Sequence, residues 1–348
     1  MSLNGVPPST GIAPKTVLVA AILVAAGAGL IGTAIGFELQ SHGGRTTVVD
    51  DLGRKVAAPT NASRIVVLAP SIMDFVYRLG LRDRVVGVGC TVGIVGGMEN
   101  EYSPNQTSLW GLDPSLCITD TPTLDTERVA FLDPGLVLAS TITSAADVET
   151  LTTTYGLPVV VLAPTTLGGI VGDVALLAQL FPSAQGPATA LEATLDSTLY
   201  NASVFESDLS ANGSALPSVL VTYGFYGGEY YTFGEGTFGE SLAELAGGSS
   251  ISAGISIEYP GINASAVLAE NPSAILYGTS DNDPYLVANE TPAVWNTSAP
   301  YWNQLNGSKI PIDVTVLTEP GPSMILAVPW YEYYLHPTLA PRPGTPPP

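Results

Sequence analysis

Residues 187–211 are the longest stretch of this chain with helix-forming content and no internal breaker. Pro187 suits a first helical turn, where its missing N–H has no intrahelical partner, and Asn212-Gly213 supplies a left-handed stop. Between them Leu191, Leu195, Leu199, Ala202, Phe205 and Leu209 recur at steps of three or four, so one face is apolar from end to end. At 1.5 Å per residue the helix would be roughly 35 Å long, about the width of a small domain. It is either a strut between two lobes or a surface helix of a single domain. A length of 348 residues exceeds what one core usually organises, which favours two domains.

The flanks of this helix are both α/β in pattern. Before it, residues 46–49 and 55–57 read as a hairpin around Asp51-Leu52-Gly53-Arg54. Strands are expected at 64–69, 85–88, 135–139 and 158–162, with helices at 126–132, 145–155 and 169–180 and one started by Ser71 as N-cap with Asp74 three residues on. Residues 90–123 read as loops. After the long helix, strands are expected at 218–225, 274–277 and 312–317, helices at 238–245 and 265–269, and a helical turn at 301–305. Residues 127–140 and 265–278 share one order, a helix, Pro at the eighth place, then a short apolar strand. That echo across the long helix favours two similar lobes. The Pro-rich tail, 338–348, is expected to be unstructured.

Composition narrows the functional classes. The chain carries 31 acidic against 11 basic residues, and after Arg128 the only cations are Lys309 and Arg342. Nucleic-acid binding needs a basic face and is excluded as a reading. Residues 16–37 carry no charge, with Lys15 before and Glu38 after, which is long enough to cross a bilayer. Either an uncleaved anchor or a removed signal fits; an anchor would leave residues 1–15 in the cytoplasm and the rest on the extracellular face of the cell membrane. Eight Asn-x-Ser/Thr sequons begin at Asn61, Asn105, Asn201, Asn212, Asn263, Asn289, Asn296 and Asn306, as expected of a glycosylated surface protein, and the composition suits an archaeal surface. Cys90 and Cys117, the only cysteines, are either a disulfide or two buried thiols.

Several segments carry a resemblance to a known family. They are Asp50-Asp51-Leu52-Gly53-Arg54, residues 64–71 followed by Leu79-Gly80-Leu81 and 84–88, residues 127–137, residues 237–248, residues 301–305, and Leu335-His336-Pro337. In this order and spacing the chain resembles the class III substrate-binding proteins of ABC importers, which carry vitamin B12, ferric siderophores and haem. The resemblance runs from about Thr46 to Pro337. It implies two Rossmann-like α/β lobes, 46–165 and 216–337, joined by connecting helices over 169–211, with a ligand held between them. It also implies an ABC permease and its ATPase as partners, and no catalysis. In that family a Glu at the tip of each lobe pairs with Arg residues of the permease. Glu127 occupies the first position; Ser265 occupies the second, where it completes the Asn263 sequon, and Glu258 lies nearby.

The ligand is narrowed by which side chains are absent. With only His42 and His336 in the chain, neither a His-based metal site nor a Ser-His-Asp engine can be assembled, and no cofactor is called for. Tyr223, Tyr226, Tyr230 and Tyr231, interleaved with glycines, can face a large planar ligand or pack as an aromatic hairpin on their own lobe. Trp110, in the matching loop of the first lobe, and Ser71, at the first strand end, complete the candidate set. The scarcity of cations favours a neutral or cationic ligand, a corrinoid or ferric hydroxamate siderophore. The alternative reading is a glycosylated cell-surface structural or sensory protein that keeps the fold without transport.

Overall fold

The computed structural model describes residues 44–90, 93–95, 98–100, 111–119, 123–279, 302–313, 317 and 320–344, all within one compact unit, Gln40–Pro348. The apolar segment 16–37 lies outside the described residues, as do Trp110, Asn105, Asn289 and Asn296. Among the described residues no helix is long and apolar enough to cross a membrane.

The chain opens with an antiparallel hairpin, β1 (Arg45–Val49) and β2 (Lys55–Pro59). A first sheet then forms from β3 (Ile65–Val67), β4 (Val85–Cys90), β7 (Cys117–Thr119), β8 (Leu136–Ala139) and β9 (Val159–Val161), between which β5 (Gly93–Val95) and β6 (Met98–Asn100) pair as a separate hairpin. The first sheet is wholly parallel, in the order β7-β4-β3-β8-β9. Its strands are continuous apolar runs because helices cover both faces. Those helices include α1 (Pro70–Arg78), α2 (Thr126–Phe131), α3 (Ala145–Glu149, continuing to Thr154 as a π-turn) and α4 (Leu167–Leu180). The strand order reverses between β3 and β8, which opens a crevice at their carboxyl ends.

The second sheet repeats this plan with an antiparallel addition. Its parallel part joins β10 (Ser218–Tyr226), β12 (Ser249–Ser250), β14 (Ala274–Thr279) and β15 (Ser308–Asp313). Strands β11 (Glu229–Thr232) and β13 (Gly261–Asn263) extend it antiparallel beyond β10. Helices α6 (Phe238–Leu245) and α7 (Ala264–Glu270) belong to this half. Helix α2 leads into β8 just as α7 leads into β14, so the two echoing segments hold equivalent places.

Between the sheets runs α5 (Gln185–Ala211), starting two residues before the expected position and ending at Asn212 and Gly213, the latter left-handed. Ala188, Leu195, Ala202 and Leu209 are its buried residues. Their seven-residue spacing keeps them on one side of the helix. Ala188, Leu195 and Ala202 belong to a single core cluster that holds Ile65 and Leu138 of the first sheet together with Val221 and Leu276 of the second.

Four expectations are corrected. Ser71 is not the cap of α1: Ala69 is, because Pro70 takes the first helical position and holds the residue before it extended. Residues 90–123 are not all loop, since β7 adds to the first sheet; three-residue strands are too short to show a period. The last strand is Ser308–Asp313 rather than 312–317, drawn by register with β14, and Lys309 is accommodated there with its ammonium 5.5 Å over the Trp302 ring. Two helices escape the sequence pattern, α8 (Pro322–Leu326) and α9 (Val328–Leu335), because they are apolar on nearly every side and interrupted by Pro329. The chain also remains packed past residue 338, with Ala340 buried and its N–H donating to His336 O.

Helices α8 and α9 give the two sheets a second connection. Asp74 of α1 accepts from Arg78 Nε at 2.7 Å and from the Ser323 N–H at 2.6 Å, and Arg78 Nη2 donates to Ser323 Oγ at 3.0 Å. Asp74 and Arg78 are almost wholly removed from water. Asp74→Ala takes the carboxylate away from a charged and buried Arg78, and is expected to lower the free energy of unfolding by about 3 kcal/mol in chemical denaturation. A loss below about 0.5 kcal/mol would mean the network carries no load.

Candidate functional site

The carboxyl end of β10 occupies in the second sheet the place that the end of β3 occupies in the first. A register shift between Thr222 and Gly224 bends β10 here. Two buried threonines hold the bend, Thr222 Oγ1 donating to Tyr231 O at 2.7 Å and Thr232 Oγ1 to Val221 O at 2.5 Å. Gly227 and Gly228, both at positive φ, close the hairpin to β11.

Tyr223 lies on the side of the sheet that faces α6. Its ring centroid is 5.2 Å from Phe233, 6.2 Å from Tyr231 and 6.3 Å from Tyr259, and Phe233 and Tyr259 are 6.1 Å apart. These are edge-to-face and tilted pairs, the arrangements aromatic quadrupoles favour. Phe233 is the buried floor, pressed against Gly239 of α6 so closely that a Cβ there would run into its ring. Tyr259 is 54% exposed, with Ile257 beside it at 65%.

Tyr259 is the residue that sequence reasoning missed. It reaches the cluster because residues 255–260 run alongside 232–235: Thr232 N–H donates to Pro260 O at 3.0 Å, Gly234 N–H to Glu258 O at 2.8 Å, and Glu235 N–H to Ile255 O at 2.8 Å. Gly234 permits this approach, since a Cβ there would run into Ile257 O. No local pattern around Tyr259 announces that pairing; the glycine at 234 is the nearest signal.

The other predicted residues divide. Tyr231 is half-buried beside Tyr223 and belongs to the cluster. Tyr230 is a correction: strand alternation turns it to the opposite face, where it is fully buried against Phe225 at 4.9 Å and Trp302 at 6.5 Å. Tyr226 pairs through its backbone with Glu229 across the hairpin turn. Ser71 is buried at the end of β3, where the chain before α8 approaches it; a Cβ at Gly321 would lie 3.1 Å from Ser71 O. Ser140, buried at the end of β8, flanks the same crevice and was not singled out from sequence.

Electrostatically the aromatic face is neutral. Burial, followed by the neighbouring Tyr259 and Tyr231, pushes the Tyr223 phenol up to about 12, so it remains a hydrogen-bond donor at any physiological pH. No group of three His, Cys, Asp or Glu side chains that could hold a metal ion exists among the described residues. At the tips, Glu127 is exposed in the first turn of α2, capped by Asp125, whereas Asn263 caps α7 and accepts from both the N–H and the hydroxyl of Ser265. Asn61, Asn201, Asn212, Asn263 and Asn306 are all exposed. Cys117 is disulfide-bonded, and Cys90 on the neighbouring strand is the one other cysteine of the chain.

A family model described as periplasmic binding protein matches residues 65–299, the span that contains the first sheet, α5 and every strand of the second sheet but β15. The chain belongs to the periplasmic binding protein family. In sequence it is similar to a cobalamin-binding protein of Halobacterium salinarum, 25% identical over 285 residues that cover 80% of this chain and 71% of that protein. In fold it is similar to a periplasmic heme binding protein from Pseudomonas aeruginosa, with a TM-score of 0.65, 19% identity and coverage of 82% and 96%. A periplasmic vitamin B12 binding protein of Vibrio cholerae superposes with a TM-score of 0.56 at 19% identity, covering 80% of this chain and 98% of that one. These relatives are binding proteins, not enzymes.

The site of this family member makes two stability predictions. Gly234→Ala forces backbone against backbone and is expected to cost about 2 kcal/mol. Tyr259→Ala, at an exposed position, is expected to change stability by no more than about 0.5 kcal/mol. Denaturant titration of both variants checks the contrast, and the reverse order would contradict the described packing.

Proposed function

We propose that this chain is the extracytoplasmic solute-binding protein of an ABC importer, and that its ligand is a bulky neutral or cationic complex with an apolar face, a corrinoid or a ferric hydroxamate. The observation that carries this reading is the uncharged aromatic face of Tyr223, Tyr231 and Tyr259 beside the carboxyl end of β10. Exposed Tyr259 offers a ring to a planar or macrocyclic surface, and the phenols offer donors to its rim. The only described cations of the second half are Lys309 and Arg342; the first turns to the Leu305 carbonyl and Trp302, and the second lies in the terminal segment. A strongly anionic chelate would therefore find no counter-charge there. The sequence relative named for cobalamin binding agrees with the corrinoid class.

In this reading Ser71 and Trp110 face the ligand from the first lobe, the exposed carboxylate of Glu127 docks to an Arg of the permease, and residues 16–37 tether the protein to the membrane. A bridge between Cys90 and Cys117 ties β7 to β4. A second reading, a glycosylated surface protein without transport, is favoured by one observation: the other docking position is Ser265, engaged by the sequon Asn263.

Titration with cobalamin and with ferric hydroxamates, followed by tyrosine and tryptophan fluorescence, tests the proposal. One of them is expected to bind, and Tyr259→Ala to weaken it at least tenfold, about 1.4 kcal/mol. Silence across the panel, or equal affinity in the variant, would overturn the reading and favour the surface role.

A further inference from the structure

The cations of this acidic chain are unevenly placed. Lys309 and Arg342 are the only ones after Arg128, and in the first half several gather at the end of the first sheet opposite the crevice, where its strands begin. Arg64 stands directly before β3, and Arg82 and Arg84 lead into β4. Hydrogen bonds join their surroundings into one face. Arg84 donates from Nη1 to Ala62 O at 3.1 Å and from Nη2 to Ser183 Oγ at 2.8 Å, and Ser183 Oγ donates in turn to Asn61 Oδ1 at 2.7 Å. Arg64 donates to Leu132 O and, at 3.2 Å, to Asp133 O, which brings in the carboxyl end of α2. The Thr60 N–H donates to Gly44 O at 2.7 Å, so the first described residue and Arg45 after it lie here too.

Charge and exposure give the face its character. Arg45, Arg64 and Arg82 are exposed and Arg84 is half-buried. Among the described residues no carboxylate lies within ion-pair distance of Arg45, Arg64 or Arg84. Their bonds run to carbonyl and hydroxyl oxygens, which leave the positive charge uncompensated. Asp83, 3.5 Å from Arg82, and Asp133 are the exposed acids beside them. At the carboxyl end of α2, Phe131 is 78% exposed, with the Arg128 guanidinium 5.7 Å over its ring. An exposed ring among guanidinium groups suits a lipid surface, where the ring enters the headgroup layer and the cations meet anionic phosphates.

We propose that this face, formed by Arg45, Arg64, Arg82, Arg84 and Phe131, rests on an anionic lipid bilayer and so turns the crevice outward for capture. Two observations select a bilayer. The chain reaches the face at Gly44, and residues 38–43, about 20 Å when extended, are all that separate it from the uncharged segment 16–37. The chain as a whole carries a net charge of −20, so an anionic surface attracts this face and repels the acidic second half. The inference rests on the tether reading for proximity alone: the tether supplies local concentration, and the face sets orientation. Docking through Glu127, at the other end of α2, requires the protein to leave this position. Asn61 lies on the face, and a sugar there would hold it off the bilayer, so this sequon is expected to be bare.

Full-length protein mixed with vesicles tests the proposal. Flotation with neutral phosphatidylcholine vesicles reads the tether alone. Orientation is read by energy transfer to a headgroup acceptor from a dye at Ser63→Cys, on the face, or at Thr141→Cys, beyond the carboxyl end of β8. With about one third phosphatidylglycerol, transfer from position 63 is expected to exceed that from position 141 at least about twofold. Raised salt, or Arg45→Glu with Arg82→Glu at two exposed positions, is expected to cancel the difference, and Phe131→Ser to reduce it. Flotation with anionic but not neutral vesicles would remove the tether and keep the face. Equal transfer from both positions, no dependence on lipid charge, flotation with neither vesicle, or a glycan on Asn61 in protein from its own cells would overturn the proposal.

Discussion

The structure depends on one helix face that belongs to two sheets at once. Ala188, Leu195 and Ala202 of α5 pack in a core that reaches Ile65 on one side and Val221 on the other, so neither half has an interior of its own on this side. Each sheet keeps a private core only on its outer face, around Val66, Val129 and Leu151 in the first half and Leu220, Tyr230 and Trp302 in the second. Ala188, Leu195 and Ala202 are each buried to within 1% of full exclusion from water. Swinging one half against the other would expose shared apolar surface, at roughly 25 cal/mol for each Å². The buried Asp74–Arg78–Ser323 network adds a directional tie at a second place.

Stiffness of this kind suits a protein that binds without chemistry. A site already formed spends little binding energy on closing, and the proposed site, an exposed tyrosine over a buried phenylalanine, would be of that kind. The same burial that shapes the molecule sets its pH preference. Asp173 is raised to about 8 and Glu332 to about 7, both chiefly by burial, and Glu244 is raised by burial and by Glu240 and Glu206. Each contributes stability that is complete below the ordinary carboxylate range and is lost as pH rises towards its folded value. The fold is therefore steadier in mild acid, which agrees with the acidic composition.

What could be read from the sequence was whatever repeats over short distances. The α5 stripe, the hairpin around Gly53 and the helix-Pro-strand echo are local patterns, and local patterns survive without knowledge of the fold. The exposure of Glu127 was legible because it sits at a helix start. Tyr259 was not, because three backbone hydrogen bonds from residues 232–235 bring it to Tyr223. Tyr230 was misread because its face depends on the strand alternation of β11, which the glycine-rich spacing conceals. Helices α8 and α9 were invisible for a related reason: buried on most sides, they present no polar face for a period to show.

The central claim is that the two halves share one core and so keep a fixed relation. Pulsed electron–electron distances between spin labels at exposed Thr153 in the first half and exposed Glu270 in the second test it most directly. The account predicts one narrow distance whose mean moves by less than about 2 Å when ligand is added. A broad or two-peaked distribution in the free protein would contradict it.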